Sequence, residues 1–296
     1  AEIGFFIATM YKQGMTPTET FYLAKAIYEN GHKISFNEKF VVDKHCIGGI
    51  PGNRTSPIVV SICASAGLII PKSSSRAITS AAGTADVVET LAPVEFSSEE
   101  MKKIIKKTGG CLVWGGGLGM VTADSKIIQI EKILNLDPEA QMLASIISKK
   151  LAMGSKYILI DVPYGKTAKV KNMKKATELK KKFEFLGKKF GKKIKIVLTD
   201  GNKPIGKGIG PVLEMKDVIS VLDPSKEGPK DLEEKSIFLA GEIFEMTGKS
   251  NKGRGKNLAK EILKSGKAFE KFKEIIQAPG GKVTDLKTGQ FQRDLV

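Results

Sequence analysis

Phe40-Val41-Val42-Asp43-Lys44-His45-Cys46-Ile47-Gly48-Gly49-Ile50-Pro51-Gly52-Asn53-Arg54-Thr55-Ser56 is the stretch that decides the fold. Phe40 to Val42 reads as a short buried strand, the glycines as a turn, and Pro57 to Gly67 as a helix. Such a turn aims backbone N–H groups at one point, where the helix N-terminus adds partial positive charge. Lys44 and Arg54 can add full charges there, and Thr55 and Ser56 hydroxyl donors. An oxyanion such as phosphate suits that arrangement, although the spacing is not that of a Walker loop. An ordinary strand-to-helix turn, with glycines that only relieve steric strain, is the alternative.

The same alternation continues on both sides. Leu68 to Ile70, Cys111 to Trp114, Tyr157 to Val162 and Ile194 to Leu198 read as further buried strands. Thr16-Pro17-Thr18-Glu19 and Ser97 to Glu100 are capping boxes, the second opening a helix that stops at Gly109-Gly110. Thr122 to Ala152 is helical with a break at Asp137-Pro138. Ala176, Leu179, Phe183, Leu186 and Phe190 fall at helical spacing, so the surrounding lysines belong mainly to a solvated face. The pattern predicts an α/β fold, with a helical lobe beside a larger α/β lobe that holds a mostly parallel sheet. The expected division is 1–38 and 121–153 for the helical lobe, and 39–120 and 154–296 for the α/β lobe.

Composition narrows the function classes. The chain has 296 residues, 41% of them hydrophobic, enough for a packed core. No apolar run approaches the roughly 20 residues of a membrane span. Cys46, Cys63 and Cys111 are scattered and form no CxxC pair, which argues against a disulfide framework or a zinc site and for a cytoplasmic setting. No metal or cofactor is expected. A net charge of +16 favours anionic partners, while solvated lysine faces account for it equally well. Ala1 falls in what reads as the middle of a helix and the chain stops shortly after Gly281, as a fragment of a longer protein would.

A second loop has its own chemistry. Ser74-Ser75-Arg76-Ala77-Ile78-Thr79-Ser80-Ala81-Ala82-Gly83-Thr84-Ala85-Asp86 follows a strand and crowds small hydroxyl residues around one arginine. Hydroxyls and a guanidinium can hold phosphate oxygens in a fixed orientation. A helix cap followed by an Ala/Ser packing face would read similarly, but two such loops after two strands favour a ligand site.

Ser74 to Glu89, SSRAITSAAGTADVVE, resembles the signature of the thymidine and pyrimidine-nucleoside phosphorylase family residue for residue. Asp43 to Ser56 resembles that family's phosphate loop, and Leu143 to Lys150 its base-side helix. Within the family these segments look most like the AMP phosphorylases of archaea. The resemblance implies a nucleoside phosphorylase class II-like fold, a homodimer or higher homo-oligomer, and phosphorolysis of a nucleoside 5′-monophosphate to free base and ribose 1,5-bisphosphate. Inorganic phosphate is then a co-substrate. Carried over by position, the phosphate contacts are Lys44, Ser56, Ser74 and Thr84. The nucleotide contacts are Gly49, Ser75, Arg76, Ala77, Ile78, Thr79, Ser80, Thr84, Ser145 and Lys169, and the proton donor is Asp137. Cys46 stands where nucleoside enzymes carry a phosphate-contacting serine. Glu131 stands where thymidine phosphorylases carry a base-contacting arginine, which argues against thymidine. The loop also carries one additional residue near Pro51-Gly52.

Competing readings stay open on the residues alone. Asp137-Pro138 is also the signature of a helix cap with proline at the first position. His45 is assigned a positioning role at most, and among so many lysines Lys169 could simply be solvated. A phosphoribosyltransferase of the anthranilate type would need acidic magnesium ligands, for which Asp86 and Glu89 are available. A basic nucleic-acid-binding protein would use Lys166 to Lys195, but that stretch lacks interleaved exposed aromatics.

Overall fold

The structure, a computed structural model, describes residues 1–48, 52, 54–77, 81–284, 286–289 and 293–294. It opens with α1 (Glu2–Gln13) and α2 (Pro17–Glu29). There follow β1 (Val42–Cys46), α3 (Thr55–Ser65), β2 (Ile70–Ser74), α4 (Thr84–Glu89), α5 (Ser98–Thr108) and β3 (Gly110–Trp114). Two further helices, α6 (Thr122–Leu134) and α7 (Glu139–Ala152), precede β4 (Tyr157–Tyr164), α8 (Met173–Lys189) and β5 (Lys193–Asp200). The chain then continues as α9 (Pro211–Leu222), α10 (Lys230–Thr247), α11 (Gly255–Lys264) and α12 (Lys267–Gln277).

Among the described residues all strand pairings are parallel. One sheet has the order β1-β4-β5 and another pairs β2 with β3. A parallel bridge from Val41 to Ile69 brings β2 alongside β1, so the strands run β3-β2-β1-β4-β5. Their C-terminal ends therefore lie along one edge, where open α/β sheets bind ligands. β1, β2 and β4 are buried along most of their length, as parallel strands covered by helices must be.

Local signals in the sequence account for the helix ends. Both capping boxes form: Thr16 Oγ1 accepts from the Glu19 N–H at 3.2 Å, and Ser97 Oγ from the Glu100 N–H at 3.2 Å. The φ of +78° at Gly109, which ends α5, is one that side-chain-bearing residues rarely adopt. α8 buries Ala176, Leu179, Phe183 and Leu186, leaving its lysines at the surface. α2 packs on α7, and α1 on α6. The apolar core is continuous between α2 and the sheet: Ala24 and Ile27 share a cluster with Met101 and Ile104 of α5 and Val113 of β3.

Two strands are displaced from their expected positions, and both displacements matter for the site. β1 runs to Cys46, and β2 starts at Ile70 and runs to Ser74. Lys44 and Ser74 are therefore strand residues. Asp43 and Lys44 tolerate a buried strand because partners distant in sequence engage their charges.

Candidate active site

Lys44 is fully buried beneath the start of α3. Its ammonium donates to Thr55 Oγ1 at 2.6 Å and, more loosely, to Ser56 Oγ at 3.4 Å. Thr55 Oγ1 in turn donates to the Gly52 carbonyl at 3.0 Å, which ties the turn to the strand. Gly52 has no room for a side chain, since a Cβ there would lie 1.9 Å from Cys46 Sγ. Among the described residues no carboxylate lies within ion-pair distance of Lys44. Burial pulls its pKa down, because desolvation penalises the charged form. A buried cation whose hydrogen bonds among the described residues go to hydroxyls, with Asp161 and Asp43 acting on it from beyond ion-pair distance, suits an anion beside the first turn of a helix.

The neighbours of Lys44 have other duties. Cys46 Sγ donates to Asp161 at 3.4 Å, and burial pushes this thiol up to about 12. Asp161 also accepts from Thr199 Oγ1 at 2.6 Å and pairs with Lys235 at 3.0 Å. Burial, and then the lysines around it, hold His45 well below the usual imidazole range, so it is neutral. Asp43 pairs with Lys150 of α7 at 2.9 Å, a fully buried link between β1 and that helix. Arg54 does not point its charge at the turn: its guanidinium is buried against Asp217, Glu214 and the Ile205 carbonyl.

The loop after β2 is organised by Asp86. Its carboxylate accepts from the N–H groups of Ala77 at 2.7 Å and Gly83 at 2.8 Å. Ser74 Oγ donates to the Val113 carbonyl at 3.2 Å, and the Ser75 carbonyl accepts from the Ala85 N–H at 3.2 Å. Thr84 begins α4, partly buried. Arg76 is engaged by Glu89 and Glu95, each at 2.9 Å, and by Asp86 at 3.2 Å, and lies over the Trp114 ring. Those carboxylates push its pKa further up, Glu89 most of all. Asp86 and Glu89, the acids a magnesium-dependent transferase would use here, are thus both engaged by Arg76. Gly49, Ile78, Thr79 and Ser80, all expected to contact nucleotide, lie outside the described residues, as does Pro51.

A third group lies on α6 and α7. Fully buried Asp124 accepts from Ser145 Oγ at 3.0 Å and Gln141 Nε2 at 3.0 Å, and pairs with Lys149 at 2.7 Å. Lys149 also donates to Ser145 Oγ at 2.9 Å. Sequence reasoning missed Asp124 and Gln141. The signal available was the four-residue spacing of Gln141, Ser145 and Lys149, which puts them on one face of α7. Asp137 makes no cap bond: Pro138 is the N-cap of α7, and the Asp137 carboxylate pairs with Lys169 at 2.6 Å. Glu131, at the end of α6, is half-buried with Oε1 unpartnered. Burial, and then Asp137 and Asp124, push its carboxyl up to about 7, against the pull of Lys169 and Lys149.

The profile described as "Glycosyl transferase family, a/b domain" matches residues 38–269, which include all three groups. The chain belongs to the glycosyl transferase family. Other members are similar over its full length. An AMP phosphorylase of Methanococcus maripaludis is 46% identical over 298 residues, covering 100% of this chain and 59% of that protein. A protein of Legionella pneumophila, provisionally named a thymidine phosphorylase, is 47% identical over 295 residues, covering 100% of this chain and 57% of that protein. The chain thus spans under two thirds of the length of the curated relatives it matches. The crystal structure of anthranilate phosphoribosyltransferase from Thermus thermophilus superposes with a TM-score of 0.73 at 16% identity, covering 94% of each chain. At that identity the likeness is one of fold. It fits an α/β fold with parallel strands and helices on both sides.

Proposed function

We propose that this chain carries the α/β unit of a nucleoside-monophosphate phosphorylase acting on AMP and inorganic phosphate. The observation that carries the proposal is the buried Lys44 ammonium beneath the start of α3, which among the described residues has hydroxyl partners and no carboxylate within ion-pair distance. A phosphate dianion held by Lys44, Thr55 and Ser56, with Ser74 and Thr84 from the neighbouring loop, is the nucleophile. Its oxygen bonds to C1′ as the N-glycosidic bond breaks, and the electron pair leaves with the base. Fixing the nucleophile below the anomeric carbon supplies most of the rate, and protonation of the departing base contributes roughly 10²–10⁴-fold.

Asp137 supplies that proton, Lys169 takes the 5′-phosphate, and Ser145 with Lys149 faces the base. Ser75, Arg76 and Ala77, after β2, contact the nucleotide. Helical segments 1–38 and 121–153 form one lobe and the rest the other, with the substrate between them. The enzyme works as a cytoplasmic homo-oligomer in nucleotide salvage, and exposed Phe5, Tyr11 and Ile133 of α1 and α6 support such an association.

Thymidine phosphorolysis is the second reading, since one similar protein carries that name. An acid at Glu131 and a lysine at Lys169 favour a monophosphate. The deciding experiment incubates the complete protein with AMP, CMP, UMP and thymidine, with and without phosphate. Phosphate-dependent release of base from the monophosphates is expected. Cleavage of thymidine alone would overturn the AMP reading, and release without phosphate would overturn phosphorolysis.

A further inference from the structure

Arg54 sits inside the glycine-rich turn, one residue before Thr55 and Ser56, yet its charge is spent elsewhere. Its guanidinium donates to the Ile205 carbonyl at 2.7 Å and to Asp217 at 3.0 Å, and lies 3.5 Å from Glu214. The side chain is 1% exposed, a burial that arginine reaches only when its charge is matched. Its backbone is left-handed at φ +57°, as the N-cap of α3, in a residue that is not glycine. Such a conformation persists only where surrounding contacts hold it.

Those contacts are themselves built in. Asp217 also accepts from the N–H groups of Lys207 at 2.8 Å and Gly208 at 2.9 Å, which wraps the loop before α9 around the guanidinium. Gly206 leaves the space this needs, as a Cβ there would meet Arg54 Nη1 at 2.4 Å. Glu214 accepts from the Gly210 N–H at 3.3 Å. A positively charged residue is thus used to lock one loop onto another, directly behind the hydroxyls that face Lys44.

We propose that Arg54 is the positioning residue of the phosphate site: its clasp on Asp217 and Ile205 fixes the left-handed turn that sets Thr55 and Ser56 opposite Lys44. This rests on the reading of Lys44, Thr55 and Ser56 as the seat of inorganic phosphate. Loss of the guanidinium frees the turn and removes the cation that stands between the phosphate site and the buried carboxylates of Asp217 and Glu214. Both effects weaken phosphate, and neither acts on the nucleotide.

The test uses Arg54→Gly, which removes the side chain without opposing the positive φ, and Arg54→Lys, which keeps a charge but not the fork. Inorganic phosphate binding is measured by calorimetry, and the KM values for phosphate and AMP by base release. Phosphate affinity should fall about tenfold or more in both variants while KM for AMP moves less than twofold. Millimolar guanidinium ion should restore much of the loss in Arg54→Gly, and ammonium ion should not. Unchanged phosphate affinity, or equal rises in both KM values, would overturn the proposal. If Arg54→Gly does not fold, the KM split in Arg54→Lys decides in the same way. Wild-type protein that binds phosphate without releasing base would sink the phosphorylase reading and leave Arg54 to be judged by binding. Absence of phosphate binding in the wild type would sink both.

Discussion

The Lys169 ammonium stands 2.6 Å from the Asp137 carboxylate, joining the loop after β4 to the residue before the N-cap of α7. Both side chains are reached by water, at 34% and 59% exposure, so the pair is worth at most about 1 kcal/mol. A 5′-phosphate, with nearly two charges, displaces such a partner readily. Lys169→Met should therefore raise KM for AMP about tenfold or more and leave whatever rate is measured on adenosine within twofold. Steady-state rates on the two substrates check this, and parallel losses on both would count against a 5′-phosphate contact.

Asp137 is the other half of that pair, and its carboxyl is free of the cap bond that the Asp-Pro sequence suggested. Asp137→Asn should lower kcat by about 10²–10⁴-fold, as expected for a lost general acid, while AMP binding changes little. Stability should also hold, since an exposed ion pair and no helix cap is lost. Calorimetric AMP binding beside base release measures the two effects separately. Undiminished turnover would remove Asp137 from the chemistry.

A buried charge retained for function is expected to cost stability. Lys44→Met keeps the volume of the stem and removes the ammonium that Thr55 and Ser56 hold. Turnover should drop by at least about 10²-fold and phosphate protection against heat should vanish, yet the unliganded protein should melt at the same temperature or higher. Thermal melts with and without phosphate read this directly. A large fall in Tm without ligand would mean that Lys44 serves the fold and not an anion.

Local signals were legible in the sequence, and signals that depend on distant partners were not. Thr16 and Ser97 cap helices through residues three positions away, so their roles are written in adjacent letters. The polar run Asp43 to Cys46 breaks strand alternation, so the sequence pattern ends the strand at Val42. It continues because Lys150, Thr55 and Asp161, up to more than a hundred residues away, stand against those side chains. Arg54 reads as a phosphate ligand for the same reason: its acceptors lie 151 and 163 residues downstream. Asp124 stands in the first turn of α6, and only the packing of α7 on its carboxylate shows that it aligns Ser145 and Lys149.

Glu131 gives the site a pH dependence whose direction can be worked out. Its carboxyl is pushed from an ordinary 4.5 up to about 7 by burial and by Asp137 and Asp124, with Lys169 and Lys149 opposing. Below about 4.5 the group is protonated in folded and unfolded chains alike and has no effect on the balance. Between about 4.5 and about 7 the unfolded chain releases the proton while the folded one retains it, so the folded state loses relative stability as pH rises. Glu131→Gln removes the titration and keeps the shape. It should match the wild type near pH 4.5 and exceed it by roughly 1–2 kcal/mol at pH 8, a figure halved from the full shift because the group is half in water. Urea unfolding at pH 5, 6, 7 and 8 gives the comparison. A gap that stays constant across that range would show that the Glu131 proton is not held by the fold.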